Sequence, residues 1–207
     1  PGRVLDMINK RALNTATLKI LIIDEADEML SEGFINQIYN IFRSMPGSIQ
    51  VGLFSATMTK SFFEISNKFM REPIRILVKN EQLTLEGIKQ YVIDVQSNEY
   101  KFETLCDLYS LLTINQSIIY CNNKKVVNGL TNKMTESNFS VSFIHSDMTN
   151  QEREETMSAF RNGKTRVLIS TDLLSRGIDV QQISVVINYD VPFDTQNYLH
   201  RIGRSGR

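Results

Sequence analysis

The sequence predicts an α/β fold in which helices cover doubly wound parallel sheets. Two observations predict it: short runs of apolar, often β-branched residues recur along the 207-residue chain, and amphipathic helical patterns separate them. Strands that are apolar on both faces are typical of parallel sheets covered by helices on each side. A hydrophobic fraction of 42% and a charged fraction of 22% fit a globular protein with a substantial core.

Eight apolar runs are candidate strands, and six candidate helices lie among them. The strand candidates are Leu18–Ile23, Val51–Phe54, Ile74–Val78, Tyr91–Val95, Ser117–Cys121, Val141–Ile144, Val167–Ile169 and Val185–Tyr189. The helix candidates, with apolar residues at helical spacing, are Ile35–Met45, Ser61–Met70, Lys101–Leu112, Lys125–Glu136, Gln151–Phe160 and Thr195–Arg201. One helix start is well marked, because Thr149 followed three residues later by Glu152 makes a capping box.

The polar segment Lys79–Gln90 interrupts this alternation and predicts a linker between two α/β domains, at residues 1–78 and 91–207. The first domain has three strand candidates, which is few for an open sheet, and both ends of the sequence fall inside recognisable motifs. We therefore expect an interior piece of a longer protein. In it the first domain would be truncated at its N-terminus, and the second would lack its last elements.

Net charge and cysteine content say little about the function of this protein. Lys+Arg and Asp+Glu both number 23, so the net charge is zero and any basic surface for nucleic acid must be local. Cys106 and Cys121 stand in apolar surroundings without CxxC spacing, which favours two buried thiols. No apolar run is long enough for a transmembrane helix and no leader is visible, which predicts a soluble protein in a reducing compartment.

The stretch ILIIDEADEML, Ile20–Leu30, places carboxylates directly after a buried strand. Ligands of open parallel sheets bind beyond the carboxyl ends of the strands. Asp24 could hold Mg²⁺ there, directly or through water, and Glu25 could orient a water for attack on a phosphate. An acidic helix N-terminus that stabilises the helix dipole explains the same residues, and both interpretations stay open from this motif alone.

The C-terminal motif HRIGRSGR carries Arg201, Arg204 and Arg207 around two glycines. Glycine lets a backbone approach a ligand closely, and guanidinium groups suit phosphate oxygens, so this motif indicates a phosphate site. A basic surface loop is the alternative. ATP bound between an acidic site and an arginine cluster would neutralise both and would clamp the two domains.

Six motifs in this sequence carry a family resemblance. They are PGR at Pro1–Arg3, DEAD at Asp24–Asp27, SAT at Ser55–Thr57, SIIYCNN at Ser117–Asn123, STDLLSRGIDV at Ser170–Val180 and HRIGRSGR at His200–Arg207. Their order resembles that of the DEAD-box RNA helicases, from the first residue of the chain to the last. Ile23–Leu30, Phe69–Tyr91 and Asp172–Pro192 are similar to one subfamily, the translation initiation factor four-A type. The resemblance implies two RecA-like domains, the first one truncated.

The resemblance also implies a role for individual residues in ATP hydrolysis with Mg²⁺. Asp24 would coordinate Mg²⁺ through water, and Glu25 would be the catalytic base. Asp27 would bridge toward Ser55, Thr57 and His200 and couple the nucleotide state to domain closure. Asp179 would contact the ATP ribose, and Arg204 and Arg207 would reach the γ-phosphate.

RNA is the partner that the resemblance implies, with a protein scaffold or regulator beside it and no membrane. The RNA backbone would be contacted by Gly2, Arg3, Arg153 and Thr171. Such contacts go to phosphates and 2′-hydroxyls and carry no base specificity. The expected activity is ATP-dependent clamping and local unwinding of RNA, in the cytoplasm or the nucleus.

Several of these residues have simpler structural explanations. Ser55 with Thr57, and Thr171 with Asp172, could cap the helices that follow them. His145 fits a hydrogen-bonded residue at a strand end better than a base, and His200 among arginines fits a neutral hydrogen-bond relay.

The sequence also departs from the family pattern. No GxxxxGK phosphate-binding loop occurs in these residues, so we expect the 207-residue chain alone to be inactive. Asn150 stands where the subfamily has Gln, and Ser146 where it has Gly, at an RNA contact.

Two other functions remain compatible with the sequence. One is a non-catalytic scaffold of the same fold that binds RNA or protein, and the other is a DNA translocase. Glu25, Arg204 and Arg207 favour the enzyme, because a scaffold has no need of them.

Overall fold

A computed structural model describes residues 1–31, 33–58, 60–77, 87–174 and 183–205. The chain divides into two compact units, Pro1–Val78 and Lys79–Arg207. Most of the predicted linker lies outside the described residues. None of the helices in the described ranges is long and apolar enough to cross a membrane.

The first unit is a small parallel sheet with helices packed on one side. Its elements are α1 Gly2–Asn9, β1 Ile20–Ile23, α2 Ala26–Met29, α3 Ile35–Arg43, β2 Gln50–Leu53 and α4 Lys60–Ser66. Strands β1 and β2 run parallel, with Ile20 opposite Gln50 and Ile23 opposite Leu53. The core under the helices is apolar and consists of Ile23, Ala26, Leu30, Ile38, Ile41, Phe62 and Phe69.

The second unit is a four-stranded parallel sheet between two layers of helices. Its elements are α5 Lys101–Leu111, β3 Gln116–Tyr120, α6 Lys124–Glu136, β4 Val141–Ile144, α7 Asn150–Arg161, β5 Val167–Ser170, β6 Ile183–Asn188 and α8 Thr195–Ile202. The strand order is β4-β5-β3-β6, and every pairing is parallel.

Successive side chains of β3 pack alternately into two apolar cores, one on each face of the sheet. Ile118 and Tyr120 pack on one face of the sheet, and Ile119 packs on the other. Strands β3 and β5 are buried along their whole length, which is why their sequences are apolar at consecutive positions. The predicted doubly wound α/β class is confirmed.

Local signals in the sequence explain where some elements begin. The predicted capping box is confirmed: Glu152 N–H donates to Thr149 Oγ1, and Thr149 N–H donates to a Glu152 carboxylate oxygen at 2.7 Å. Asn123 caps α6 in the same way by accepting from Val126 N–H. These side chains satisfy backbone donors that a helix leaves without an internal partner.

Two strand predictions were wrong. The described part of the run Ile74–Val78 and the whole of Tyr91–Val95 lie outside strands, and Ile74 and Ile76 are 90% and 87% exposed. Their β-branched composition favours a strand only where a neighbouring strand and a packed face are present. In the part of the chain that the structure describes, these residues have neither.

Smaller differences concern helices and thiols. Helix α4 ends at Ser66, four residues before the predicted end, and the sequence reading missed α1 and the one-turn α2. Cys121 is buried, as expected, but Cys106 is partly exposed on α5, so the expectation of two buried thiols holds for only one of them. Burial raises the pKa of the Cys121 thiol to about 12.

The core of the second unit predicts a contrast between two leucines. Leu168 in β5 is fully buried and Leu111 at the end of α5 is 80% exposed. Leu168→Ala removes packed atoms and leaves a cavity, so we expect it to lower the free energy of unfolding by about 2–5 kcal/mol. The matched change Leu111→Ala should cost less than about 0.5 kcal/mol. Urea denaturation measures both, and equal losses would contradict the core described above.

Candidate functional site

The carboxylates predicted to act in the first unit lie where β1 ends. Phe54 N–H donates to the Ile23 carbonyl and Ala26 N–H donates to the Phe54 carbonyl, both at 2.9 Å, which fixes the backbone around them. Asp24 is exposed, and its Oδ1 accepts the Glu25 N–H at 2.8 Å. The sequence DEAD therefore turns sharply at the strand end before entering the short helix α2.

Glu25 has a backbone conformation that is uncommon for a residue with a side chain. Its φ of 50° and ψ of 45° are left-handed, which costs about 1–3 kcal/mol relative to an ordinary conformation. Strain of this kind persists where surrounding contacts hold it, and it concentrates at functional positions. Glu25 is also the N-cap of α2, so the acidic-helix interpretation and the catalytic one describe the same turn.

Asp27 and the SAT motif form one hydrogen-bonded group. The Thr57 hydroxyl donates to Asp27 Oδ2 at 2.5 Å, and the Ser55 hydroxyl donates to the Thr57 carbonyl at 2.7 Å. Thr57 is buried, so this bond to a carboxylate forms away from water. Within the part of the chain that the structure describes, Ser55 and Thr57 thus hydrogen-bond with each other and with Asp27.

The predicted RNA contacts of the first unit lie at the start of α1. Gly2 and Arg3 occupy its first turn and are exposed. A Cβ added at Gly2 would lie 3.2 Å from Gln37 Oε1 of α3, so a side chain there would crowd that contact. That oxygen is the end of a flexible side chain, so the spacing by itself does not require glycine.

Arg201 is the largest fully buried side chain in the described residues, and its guanidinium joins three strand ends. Nε donates to Asp172 Oδ1 at 2.6 Å, after β5. Nη2 donates to Asn122 Oδ1 at 2.9 Å, after β3. Nη1 donates to the Asp190 carbonyl at 2.7 Å and to Asn188 Oδ1 at 3.2 Å, at the end of β6.

The same guanidinium lies over the aromatic ring of Tyr120. The Arg201 Cζ lies 5.2 Å from the centre of that ring, and the Tyr120 hydroxyl donates to the Leu174 carbonyl at 3.0 Å. Burial raises the pKa of Tyr120 far above its ordinary value, although Arg204 and Arg201 act in the opposite direction. Tyr120 therefore remains a neutral donor.

These contacts correct one part of the sequence interpretation. Arg201 was grouped with the arginines that suit phosphate, but its donors are occupied by protein oxygens and its side chain is fully buried. A buried cation is tolerated only when oxygens satisfy it in this way. Arg201 thus stabilises the edge of the sheet and is closed to a phosphate.

His200 and Arg204 flank Arg201 at the end of α8. Both side chains are buried, and Arg204 Nε donates to the His200 carbonyl at 3.2 Å. The helix ends at Ile202 with Gly203 as its C-cap. Of the predicted γ-phosphate contacts, Arg204 is therefore held in a fixed place, while Arg207 lies outside the described residues, as does the predicted ribose contact Asp179.

The remaining predicted RNA contacts lie beyond the ends of β4 and β5, Arg153 in helix α7 and Thr171 in a loop. Thr171 follows β5, and its Oγ1 accepts the Leu173 N–H at 3.5 Å, which caps the short 3₁₀ turn Asp172–Leu174. Arg153 in α7 donates through Nη2 to the Ser146 carbonyl at 2.7 Å and so ties α7 to the loop that carries the Gly-to-Ser departure.

His145 behaves as the simpler explanation predicted. It is buried at the end of β4, and its Nδ1 accepts the Asp147 N–H at 3.3 Å. It therefore acts as a hydrogen-bond acceptor that shapes the loop.

The role of Asn122, Asp172 and Asn188 as acceptors for Arg201 was not predicted from the sequence. Asp190 receives an ion pair from Lys101 at 2.8 Å and a hydrogen bond from Asn122 N–H at 3.1 Å. A signal was present: Asn122, Asp172 and Asn188 each stand at the end of an apolar strand. Acceptors gathered at one sheet edge favour a buried cation beside them. In the structure that cation is Arg201, one of the buried residues of α8.

Comparison with known protein families assigns both units. The family described as DEAD/DEAH box helicase matches residues 1–65, and the helicase conserved C-terminal domain matches residues 100–207. The chain belongs to the DEAD/DEAH box helicase family.

Among curated relatives, eukaryotic initiation factor 4A of Caenorhabditis elegans is 58% identical over 207 residues, which cover all of this chain and 52% of that protein. The ATP-dependent RNA helicase FAL1 of Kluyveromyces lactis is 58% identical over 209 residues, with the same coverage. Eukaryotic initiation factor 4A-3 of Nicotiana plumbaginifolia is 57% identical, and 53% of it is covered. The chain spans about half the length of the curated relatives it matches.

Solved structures show the same relationship. S. cerevisiae Dbp5 bound to RNA and ADP BeF3 matches with a TM-score of 0.92 and 36% identity, over all of this chain and 55% of that one. A DEAD box protein from the hyperthermophile Methanococcus jannaschii matches with a TM-score of 0.57 and 36% identity, with the same coverage. The predicted family and the four-A type resemblance are confirmed.

The bond between Thr57 and Asp27 predicts that two buried threonines differ in importance. Thr57→Val removes the donor to a carboxylate, and we expect it to lower the free energy of unfolding by about 1.5–3 kcal/mol. Thr131 is equally buried, at 8% exposure, but its hydroxyl donates to the Val127 carbonyl within α6. Thr131→Val should therefore cost less than about 1 kcal/mol. Urea denaturation of both variants measures the difference, and a smaller cost at Thr57 than at Thr131 would refute this assignment.

Proposed function

We propose that the protein carrying this chain is an ATP-dependent RNA helicase that clamps RNA and unwinds it locally without reading its sequence. Membership of the helicase family supports the proposal. The single observation that carries it is the turn after β1, where Glu25 is held in a left-handed conformation and Asp27 is bonded to Thr57. This turn places an acidic group at the strand end, where open parallel sheets bind their ligands.

In the first unit, Asp24 would hold Mg²⁺ and Glu25 would be the base for the hydrolytic water. The residues fit this cation, because carboxylate oxygens are its preferred ligands and Asp24 is exposed with its orientation fixed by the Glu25 N–H. Mg²⁺ supplies charge neutralisation for the phosphates when it is bound. Glu25 would accept a proton from water, which needs a carboxylate held in one place.

In the second unit, Arg204 and Arg207 would contact the γ-phosphate and Asp179 the ATP ribose. The fixed position of Arg204 supports its part, because a phosphate contact is strongest when the guanidinium is already oriented. Asp27, Ser55, Thr57 and His200 would connect nucleotide state with closure. The Asp27–Thr57 hydrogen bond supports this role, because a shift of the DEAD motif would displace the SAT motif as well.

RNA would contact Gly2, Arg3, Arg153 and Thr171 through its phosphates and 2′-hydroxyls. The exposure of Arg3 in the first turn of α1 supports such a contact, because helix N-termini and guanidinium groups both attract phosphates. A protein regulator would act beside RNA, in the cytoplasm or the nucleus. Because these four contacts would go to phosphates and 2′-hydroxyls, discrimination among RNA sequences is not expected.

The test is RNA-stimulated phosphate release by the full-length protein. Glu25→Gln removes the base and should lower the stimulated rate by about 100-fold or more. Glu64→Gln, on the exposed face of α4, is the matched control and should retain the wild-type rate. Residues 1–207 alone, without a GxxxxGK loop, should release negligible phosphate.

The same assay separates the alternatives. Equal rates for wild type and Glu25→Gln would favour the non-catalytic scaffold. Stimulation by DNA oligonucleotides that matches or exceeds that by RNA would favour a DNA translocase.

A further inference from the structure

The loop after β5 and the end of α8 meet in one ion pair within the second unit. Asp172 directly follows Thr171, a proposed RNA contact, and its Oδ1 lies 2.6 Å from Arg201 Nε. Arg201 precedes Arg204, a proposed phosphate contact, by three residues. The covalent and hydrogen-bonded path between the two proposed contacts is therefore only a few residues long.

Three of the four acceptors of Arg201 stand at the ends of paired strands, and the fourth belongs to a 3₁₀ turn with a partly exposed side chain. Asn122, Asn188 and the Asp190 carbonyl stand at the ends of β3 and β6, which pair with each other along the sheet. Asp172 belongs to a 3₁₀ turn and its side chain is 37% exposed, whereas that of Arg201 is fully buried. Asp172 also supplies a carboxylate, while the other three acceptors are neutral oxygens, so its bond is the strongest of the set.

The Arg201 side of the pair is joined directly to Arg204. Arg204 N–H donates to the Arg201 carbonyl at 3.2 Å, and Arg204 Nε donates to the His200 carbonyl at 3.2 Å. A change in the position of Arg201 therefore changes the place from which the Arg204 guanidinium projects.

We propose that Asp172 and Arg201 are a positioning pair, through which RNA bound at Thr171 sets the orientation of Arg204 toward ATP. The inference rests on the proposed function. Neither residue of the pair touches RNA or nucleotide in this scheme. Asp172 moves with the RNA-contacting loop, and Arg201 passes that movement to the end of α8.

The experiment compares ATP turnover by the full-length protein with and without saturating single-stranded RNA, together with RNA affinity from fluorescence anisotropy. Asp172→Asn keeps an oxygen that can accept from Arg201 Nε but removes the charge. We expect RNA stimulation of turnover to fall about tenfold, because a charge-assisted bond becomes a neutral one. RNA-independent turnover and RNA affinity should stay close to those of the wild type, while the melting temperature should fall somewhat, because the buried guanidinium of Arg201 loses its charged acceptor.

Asp107→Asn is the control, because Asp107 is an exposed carboxylate on α5 of the same unit and belongs to none of the proposed contacts. Its stimulation should equal that of the wild type. A double-mutant cycle adds a second readout: Thr171→Ala should lower stimulation on its own and have little further effect in the Asp172→Asn background, since coupled residues are not additive.

Three results would overturn the proposal. They are unchanged stimulation in Asp172→Asn, fully additive effects of the two substitutions, and a loss of basal turnover as large as the loss of stimulation, which indicates a purely structural contact. A wild-type protein that RNA does not stimulate would instead contradict the proposed function itself, and that result is seen before any variant is made.

Discussion

The parallel direction of the strands is the constraint on which every functional feature of this chain depends. Because all pairings within each sheet are parallel, the strands deliver their following residues to one edge. Asp24 and Ser55 follow the two strands of the first unit, and Asn122 and Thr171 follow strands of the second. Apolar strands thus bury the core while polar loops collect where a ligand can reach them.

Charged groups that lie close together at one sheet edge need partners of opposite charge or hydrogen-bonding groups. The two units supply these partners in different ways. In the first unit, the Thr57 hydroxyl binds Asp27, and Mg²⁺ is proposed to serve the exposed Asp24. In the second, the guanidinium of Arg201 is enclosed by oxygens from three strand ends. A charge so deeply buried needs these partners, and the loops that carry them are therefore connected through Arg201.

Much of the fold was predictable from the sequence because burial leaves a periodic signal. The runs at Ser117–Cys121 and Val167–Ile169 are apolar on both faces, and both lie within or next to buried central strands. The runs at Ile74–Val78 and Tyr91–Val95 carry the same composition, but strand formation needs a partner that composition does not encode. The short α2 was missed because a single turn is too brief for a periodic pattern.

The sequence predicted which motifs form the candidate site, but it did not predict which side chains contact one another there. The DEAD and SAT motifs were found as motifs, but the bond between Asp27 and Thr57 joins residues 30 positions apart and depends on strand register. Arg201 was misjudged because arginine next to glycine suggests a phosphate contact, and sequence alone does not tell which of three arginines is enclosed. That assignment follows only from the side chains of three separate strand ends.

The proposed ATP-driven clamp requires that bound nucleotide and bound RNA each change the affinity for the other by the same factor. The most direct measurement is the RNA affinity of the full-length protein with ADP–beryllium fluoride, which mimics ATP, and with ADP. Binding should be at least about fivefold tighter with the ATP mimic, the lower end of typical coupling between sites. Equal RNA affinities in the two nucleotide states would contradict the coupling and, with it, the ATP-driven clamp.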